Sequence, residues 1–104
     1  MSAEVIQFPS ERHTSNKRGF SAAEVNAALV CSYEFINRGI AVDVEPVHTE
    51  NGAVFVSITR EDGIGWLAFR ERGMYFLITR DDLPPLVCSR DFSDLIEGLK
   101  AIAS

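Results

Sequence analysis

Residues 53–80, AVFVSITREDGIGWLAFRERGMYFLITR, constrain the fold more than any other part of this chain. Three runs rich in β-branched and aromatic residues are separated by Asp62-Gly63 and by residues 70–73. Such runs read as strands, and Asp-Gly between them reads as a two-residue type I′ hairpin turn, which needs φ > 0 at both central positions. That loop pairs Glu61 with Ile64, setting Ile58 opposite Leu67 and Val56 opposite Phe69. Taking Glu71-Arg72 as the second loop sets Phe69 opposite Met74 and Leu67 opposite Phe76. One face then carries Val54, Val56, Ile58, Leu67, Phe69, Met74, Phe76 and Ile78, and a continuous apolar face is what a core is built on. The opposite face carries Phe55, Ser57, Thr59, Trp66, Ala68, Tyr75, Leu77 and Thr79. A three-residue second loop, with Gly73 in a bulge, is the alternative and would exchange the faces of the last strand. The first register is preferred because it gathers the larger residues on one side. In either register both faces of the last two strands carry large apolar residues.

The flanking segments supply a cover. Ser21-Ala22-Ala23-Glu24 is a capping box with Phe20 and Val25 at the staple positions, and Gly39 is a C′ stop, so the sequence predicts a helix over 22–38. Its stripe is Val25, Ala28, Leu29, Phe35 and Ile36, with Ser32 at the centre. A strand over 40–48 follows, alternating through Ile40, Val42 and Val44 and then slipping phase at Pro46-Val47, as a bulge on an edge strand would. Asn51-Gly52 reads as another tight hairpin. After Pro84-Pro85, Leu86-Val87-Cys88 is either a short strand or a packed loop. A last helix from about Asp91 places Phe92, Leu95, Ile96, Leu99 and Ile102 on one side. The expected fold is an α+β two-layer sandwich, order α-β-β-β-β-α: a four-stranded antiparallel meander with both helices on one face. At 104 residues it is a single domain, 20–104, preceded by a flexible tail, 1–19, that holds an apolar island at residues 5–8. In element order this resembles small acidic chaperones and inhibitor proteins of bacteria, a likeness of fold that carries no site.

Charge and composition narrow the function. The net charge is −5, and residues 21–104 alone hold 13 acids and 7 bases, so a nucleic-acid backbone is a poor main partner for the body. Two cysteines, Cys31 and Cys88, make no disulfide framework; with no secretory signal and no apolar run of membrane-spanning length, the reading is a cytoplasmic protein with no membrane partner. His13 and His48 lack partners at ligand spacing, so neither a metal nor another cofactor is expected. Gly63-Ile64-Gly65 opens a strand rather than a helix and is no phosphate loop. No nucleophile elbow or convergent acid–base set appears, and the chain is expected not to be an enzyme. Cys88, before the last helix and near Arg90, is the one residue placed for a lowered thiol pKa; packing is the simpler role.

What remains is the second sheet face. Phe55, Trp66, Tyr75 and Leu77 are read as an apolar, aromatic interaction face without a cover of its own, and the expectation is a protein partner, first of all a second copy in a C2 dimer. The alternative is a single-stranded nucleic-acid module, RNA above all, stacking bases on these aromatics with Arg60, Arg70, Arg72 and Arg80 as a rim. Glu61, Glu71, Asp81 and Asp82 offset those arginines, and no RNA-binding motif accompanies them.

Overall fold

A computed structural model describes residues 19–81 and 84–104. The elements are α1 (Ala22–Asn37), β1 (Asp43–His48), β2 (Val54–Thr59), β3 (Gly65–Glu71), β4 (Met74–Thr79), β5 (Val87–Ser89) and α2 (Phe92–Ala103). The strands form one antiparallel sheet in the order β1-β2-β3-β4-β5, with α1 and α2 packed side by side on one face. The α+β sandwich is thus as expected, with a fifth strand: Val87-Cys88-Ser89 pairs with Leu77-Phe76-Tyr75 at the edge. The expected tail falls outside the described residues except for Gly19.

Local chemistry explains the helix ends. Ser21 Oγ accepts from Glu24 N at 3.2 Å while Glu24 Oε1 accepts from Ser21 N at 2.9 Å, so two orphan amides of the first turn are satisfied reciprocally. Asp91 caps α2 through Ser93 N. Ala28, Ser32 and Phe35 of α1 and Leu95, Leu99 and Ala103 of α2 are buried, whereas Ile36 lies at the edge of the stripe, half out of the core.

The register differs from expectation at the two Xaa-Gly hairpins. Thr59 pairs with Gly65, and Arg60 N donates to Ile64 O, so the loop is Glu61-Asp62-Gly63. The β1–β2 loop repeats the pattern: Thr49 N donates to Ala53 O around Glu50-Asn51-Gly52. In each, only the glycine takes a positive φ, +86° at Gly63 and +85° at Gly52, as in a three-residue loop closed by a bulge rather than a type I′ turn. The β3–β4 loop is a two-residue one but lies at Arg72-Gly73, both with positive φ, not at the expected Glu71-Arg72: Glu71 pairs with Met74, so Phe69 lies opposite Phe76 and Leu67 opposite Ile78.

One extra loop residue between β2 and β3 turns β2 over relative to the expected pairing. Ile58 lies opposite Trp66 and Val56 opposite Ala68, not opposite Leu67 and Phe69. The helix-covered face therefore carries Val44, Val56, Ile58, Ala68, Tyr75 and Leu77, all buried. Nor is there a bulge at Pro46-Val47, since β1 pairs residue for residue with β2 from Asp43 to His48. Alternation from the Thr49–Ala53 bond puts Pro46 at a non-hydrogen-bonded position with its nitrogen toward the outer edge, which is why a proline is tolerated there.

Candidate interaction surface

Three of the four residues read as the interaction face lie under the helices. Leu77 is fully buried, Tyr75 is 7% exposed, and Trp66 packs edge-on against Phe35 of α1 with ring centroids 5.3 Å apart. Only Phe55 is on the open side. The cause is the β2–β3 register: once Val56 and Ile58 are core, their neighbours Ala68 and Trp66 are core as well.

The open face follows from the same pairings. Val47 lies opposite Phe55 on β1–β2, and Phe69, Phe76 and Cys88 form a row across β3–β5. The β2–β3 ladder ends at Val56–Ala68, and beyond it Phe55 and Phe69 line the same groove between the parted strands. Glu45, Ser57, Leu67 and Ile78 form the next row, and Glu71 and Met74 stand on the far side. Phe69 and Phe76 stack at 5.0 Å and 16°, a cross-strand aromatic pair. Among the described residues neither helix packs on this side. The aromatic and aliphatic side chains here are half-buried.

The two ends of this face differ in charge. Arg80, just after β4, donates from Nη2 to Ser57 Oγ and so reaches back over the strand ends; Ser57 is 3% exposed. At the other end stand Glu71 and, in the β1–β2 loop, Glu50; both line a groove of about 600 Å³ floored by Phe55, Leu67 and Phe69.

The expected arginine rim is not gathered on this face. Arg60 pairs with Asp62 at 3.3 Å and lies over the Trp66 ring. Arg70 points to the helix side, over Tyr75. Arg72, in the β3–β4 turn, borders the open face beside Glu71, Met74 and Phe76, and Arg80 reaches it from the opposite end. With Trp66 and Tyr75 in the core, the stacking platform of the RNA reading is dispersed too.

Tyr75 belongs to a cluster where both helices begin. Its ring lies 6.3 Å from Phe20 and 5.3 Å from Phe92, and its hydroxyl donates to Glu24 Oε2, the carboxylate that also closes the capping box. Burial, then the bond to Glu24, pushes the Tyr75 pKa up to about 12. The contact joins β4 to the start of α1.

His48 is exposed at the end of β1, and no group of three or more metal-ligating side chains occurs among the described residues. Cys88 is exposed and Cys31 half-buried, both as free thiols. No described helix is long and apolar enough to cross a membrane. Neither protein-family models nor curated proteins match the sequence, and no solved structure matches it.

Sequence reasoning missed Leu67, Phe69, Phe76 and Ile78 as surface residues, because they look like the best core in the chain. The signal that could have found them is Gly65. A Cβ there would stand 1.8 Å from Ile58 O, so the end of β3 lies hard against β2 and the Ile58–Trp66 register needs glycine at that position.

Proposed function

We propose that this protein is a small non-catalytic interaction module, of the regulator, inhibitor or chaperone-like adaptor kind, that works by burying its open sheet face against another protein, first of all a second copy of itself. The carrying observation is the apolar open face, Val47–Phe55 on β1–β2 and Phe69–Phe76–Cys88 on β3–β5 with a shared groove between Phe55 and Phe69, backed by Leu67, Met74 and Ile78. Continuous apolar surface of this kind marks interaction sites. Strand spacing and rise give the face roughly 19 by 20 Å, about 380 Å² and so about half of the usual ~800 Å² per partner, the size of a weak or transient contact. That size suits an exchangeable complex in the cytoplasm, where Cys31 and Cys88 stay as thiols.

Charge favours one self-pairing. A two-fold axis lying in the interface and running across the strands stacks each strand antiparallel on its copy, so the Arg80 end of one molecule meets the Glu71 end of the other. An axis along the strands would instead press Glu71 of the central strand against its own copy, and like charges brought together at an interface are costly. The antiparallel arrangement is therefore the proposed one. Sedimentation equilibrium of the full chain between about 1 and 500 μM, a span covering weak to moderate dimers, tests the reading. A monomer–dimer equilibrium supports it, and a monomer across the whole range refutes self-association.

A further inference from the structure

The open face is cut by two hollows that share Phe69 and Glu71. Ladder pairing between β2 and β3 runs only from Thr59–Gly65 to Val56–Ala68, and the strands then part. Gly19 and Phe20 bridge the fork: Gly19 N donates to Arg70 O of β3 at 2.8 Å, and Phe20 N to Val54 O of β2 at 3.0 Å. The parting opens the first hollow, the groove of about 600 Å³ floored by Phe55, Leu67 and Phe69. The second, of about 520 Å³, lies on the other side of Phe69, against Phe76 and Met74. Phe69 is therefore a ridge between two apolar hollows, and Glu71 stands at the head of both.

We infer that these hollows take a cationic amphipathic segment of another protein, with one apolar side chain on each side of Phe69 and a Lys or Arg against Glu50 and Glu71. This rests on the open face being the working surface and names a partner for it. Spacing is the first support. Hollows flanking a single strand lie roughly 5–10 Å apart, one to two strand spacings, which apolar side chains at i and i+4 of a helix or i and i+2 of a strand can span. Charge is the second. Glu50 and Glu71 line the first hollow, and the base in its lining, Arg70, turns its guanidinium to the helix side, over the Tyr75 ring. Across the open face Asp43, Glu45, Glu50 and Glu71 stand against Arg72 and Arg80, and Arg80 is turned onto Ser57. The face is thus acidic as well as apolar. In the self-pairing Arg80 is the base brought to Glu71, so a cationic segment is the better complement and displaces the copy. Apolar anchors seated in a groove, with charge beside them setting the choice of partner, are an established mode of peptide recognition.

The test titrates three peptides into the full chain at a concentration where it is monomeric: an amphipathic leucine–lysine peptide, the same peptide with glutamate for lysine, and the same with serine for leucine. The readout is the methyl NMR shifts of Leu67 in the first hollow and Met74 in the second, with Leu95 in the core as control. The leucine–lysine peptide is expected to move Leu67 and Met74 and leave Leu95 in place, and the other two to bind at least roughly tenfold more weakly. Glu50→Gln with Glu71→Gln should weaken the leucine–lysine peptide about tenfold, whereas Glu61→Gln with Glu97→Gln, which removes the same charge from exposed positions off this face, should not. Glu50 is exposed in a loop, so Glu50→Gln alone repeats the test without touching β3. Equal binding of the lysine and glutamate peptides, equal loss in the two double variants, or binding that leaves Leu67 unmoved overturns the inference. If the leucine–lysine peptide fails to bind while the chain dimerises at higher concentration, the inference falls and the self-association reading stands. If it binds and the chain never dimerises, the reverse holds.

Discussion

Replacing Trp66 by Ser and, separately, Phe69 by Ser separates the two faces of the sheet. Trp66 packs on Phe35 of α1, with Arg60 5.9 Å from its ring centroid, but remains partly exposed. Full truncation of a buried large aromatic costs ~3–5 kcal/mol; partial exposure reduces this, while the lost edge contact and the Arg60 stack add roughly 0.5–1 kcal/mol each. The expected loss of folding stability is about 3 kcal/mol, a fall in Tm of roughly 12–20 °C for a domain of this size. Phe69 touches no helix; its main neighbour is the Phe76 ring. Phe69→Ser should cost the fold about 1 kcal/mol, the value of a half-buried side chain and one aromatic pair. In a two-fold dimer it is removed twice, at about 2 kcal/mol per anchor, so association should weaken by ~10³. Thermal melts by circular dichroism at low concentration read the first effect, and sedimentation equilibrium the second. A Trp66→Ser protein that melts within a few degrees of wild type but fails to associate would refute the reasoning, because the helices would then cover the opposite face.

Gly65→Ala should be destabilising despite the ~0.4–1 kcal/mol that Gly→Ala gains through the unfolded chain. The added methyl meets backbone, Ile58 O at 1.8 Å, and Gly65 O also accepts from Arg80 N, so a loss of about 3 kcal/mol in urea titrations is expected, with wild-type stability counting against the register. Raising the pH tests Tyr75: its folded pKa of about 12 lies above the unfolded value of 10.0, so its contribution is whole below pH 10 and is lost as pH rises toward 12, about 2–3 kcal/mol in all. Tyr75→Phe should flatten the stability profile over that window, and an unchanged slope would refute the assignment. Glu71→Arg and Arg80→Glu should each weaken the dimer and the double exchange should restore it; equal affinity in all four proteins would exclude the antiparallel pairing.

Much of this fold is local and was legible. The capping box at Ser21, the cap at Asp91, the helix stripes and the hairpin order are set by residues close in sequence, whose chemistry acts wherever the chain goes. The faces of β3 and β4 relative to each other were also right, because moving the two-residue loop from Glu71-Arg72 to Arg72-Gly73 shifts the pairing by two residues, an even number. What the residues alone left open was loop length. Asp62-Gly63 and Asn51-Gly52 suit a type I′ turn and a bulged three-residue loop equally well, since glycine supplies the one positive φ the latter needs. The difference is one residue, and with a side-chain period of two it turns a whole strand over. Either choice offers the helices a mostly apolar face, so hydrophobicity could not arbitrate. Tertiary packing did: Ala68 and Gly65 stand where β3 lies close to its neighbours, Val56, Ile58, Phe35 and Leu95 are fully buried in the same layer, and Phe69 and Phe76 stack on the other side. The existence of an apolar second face was thus written in the sequence, and which residues make it was settled only when the helices packed on the sheet.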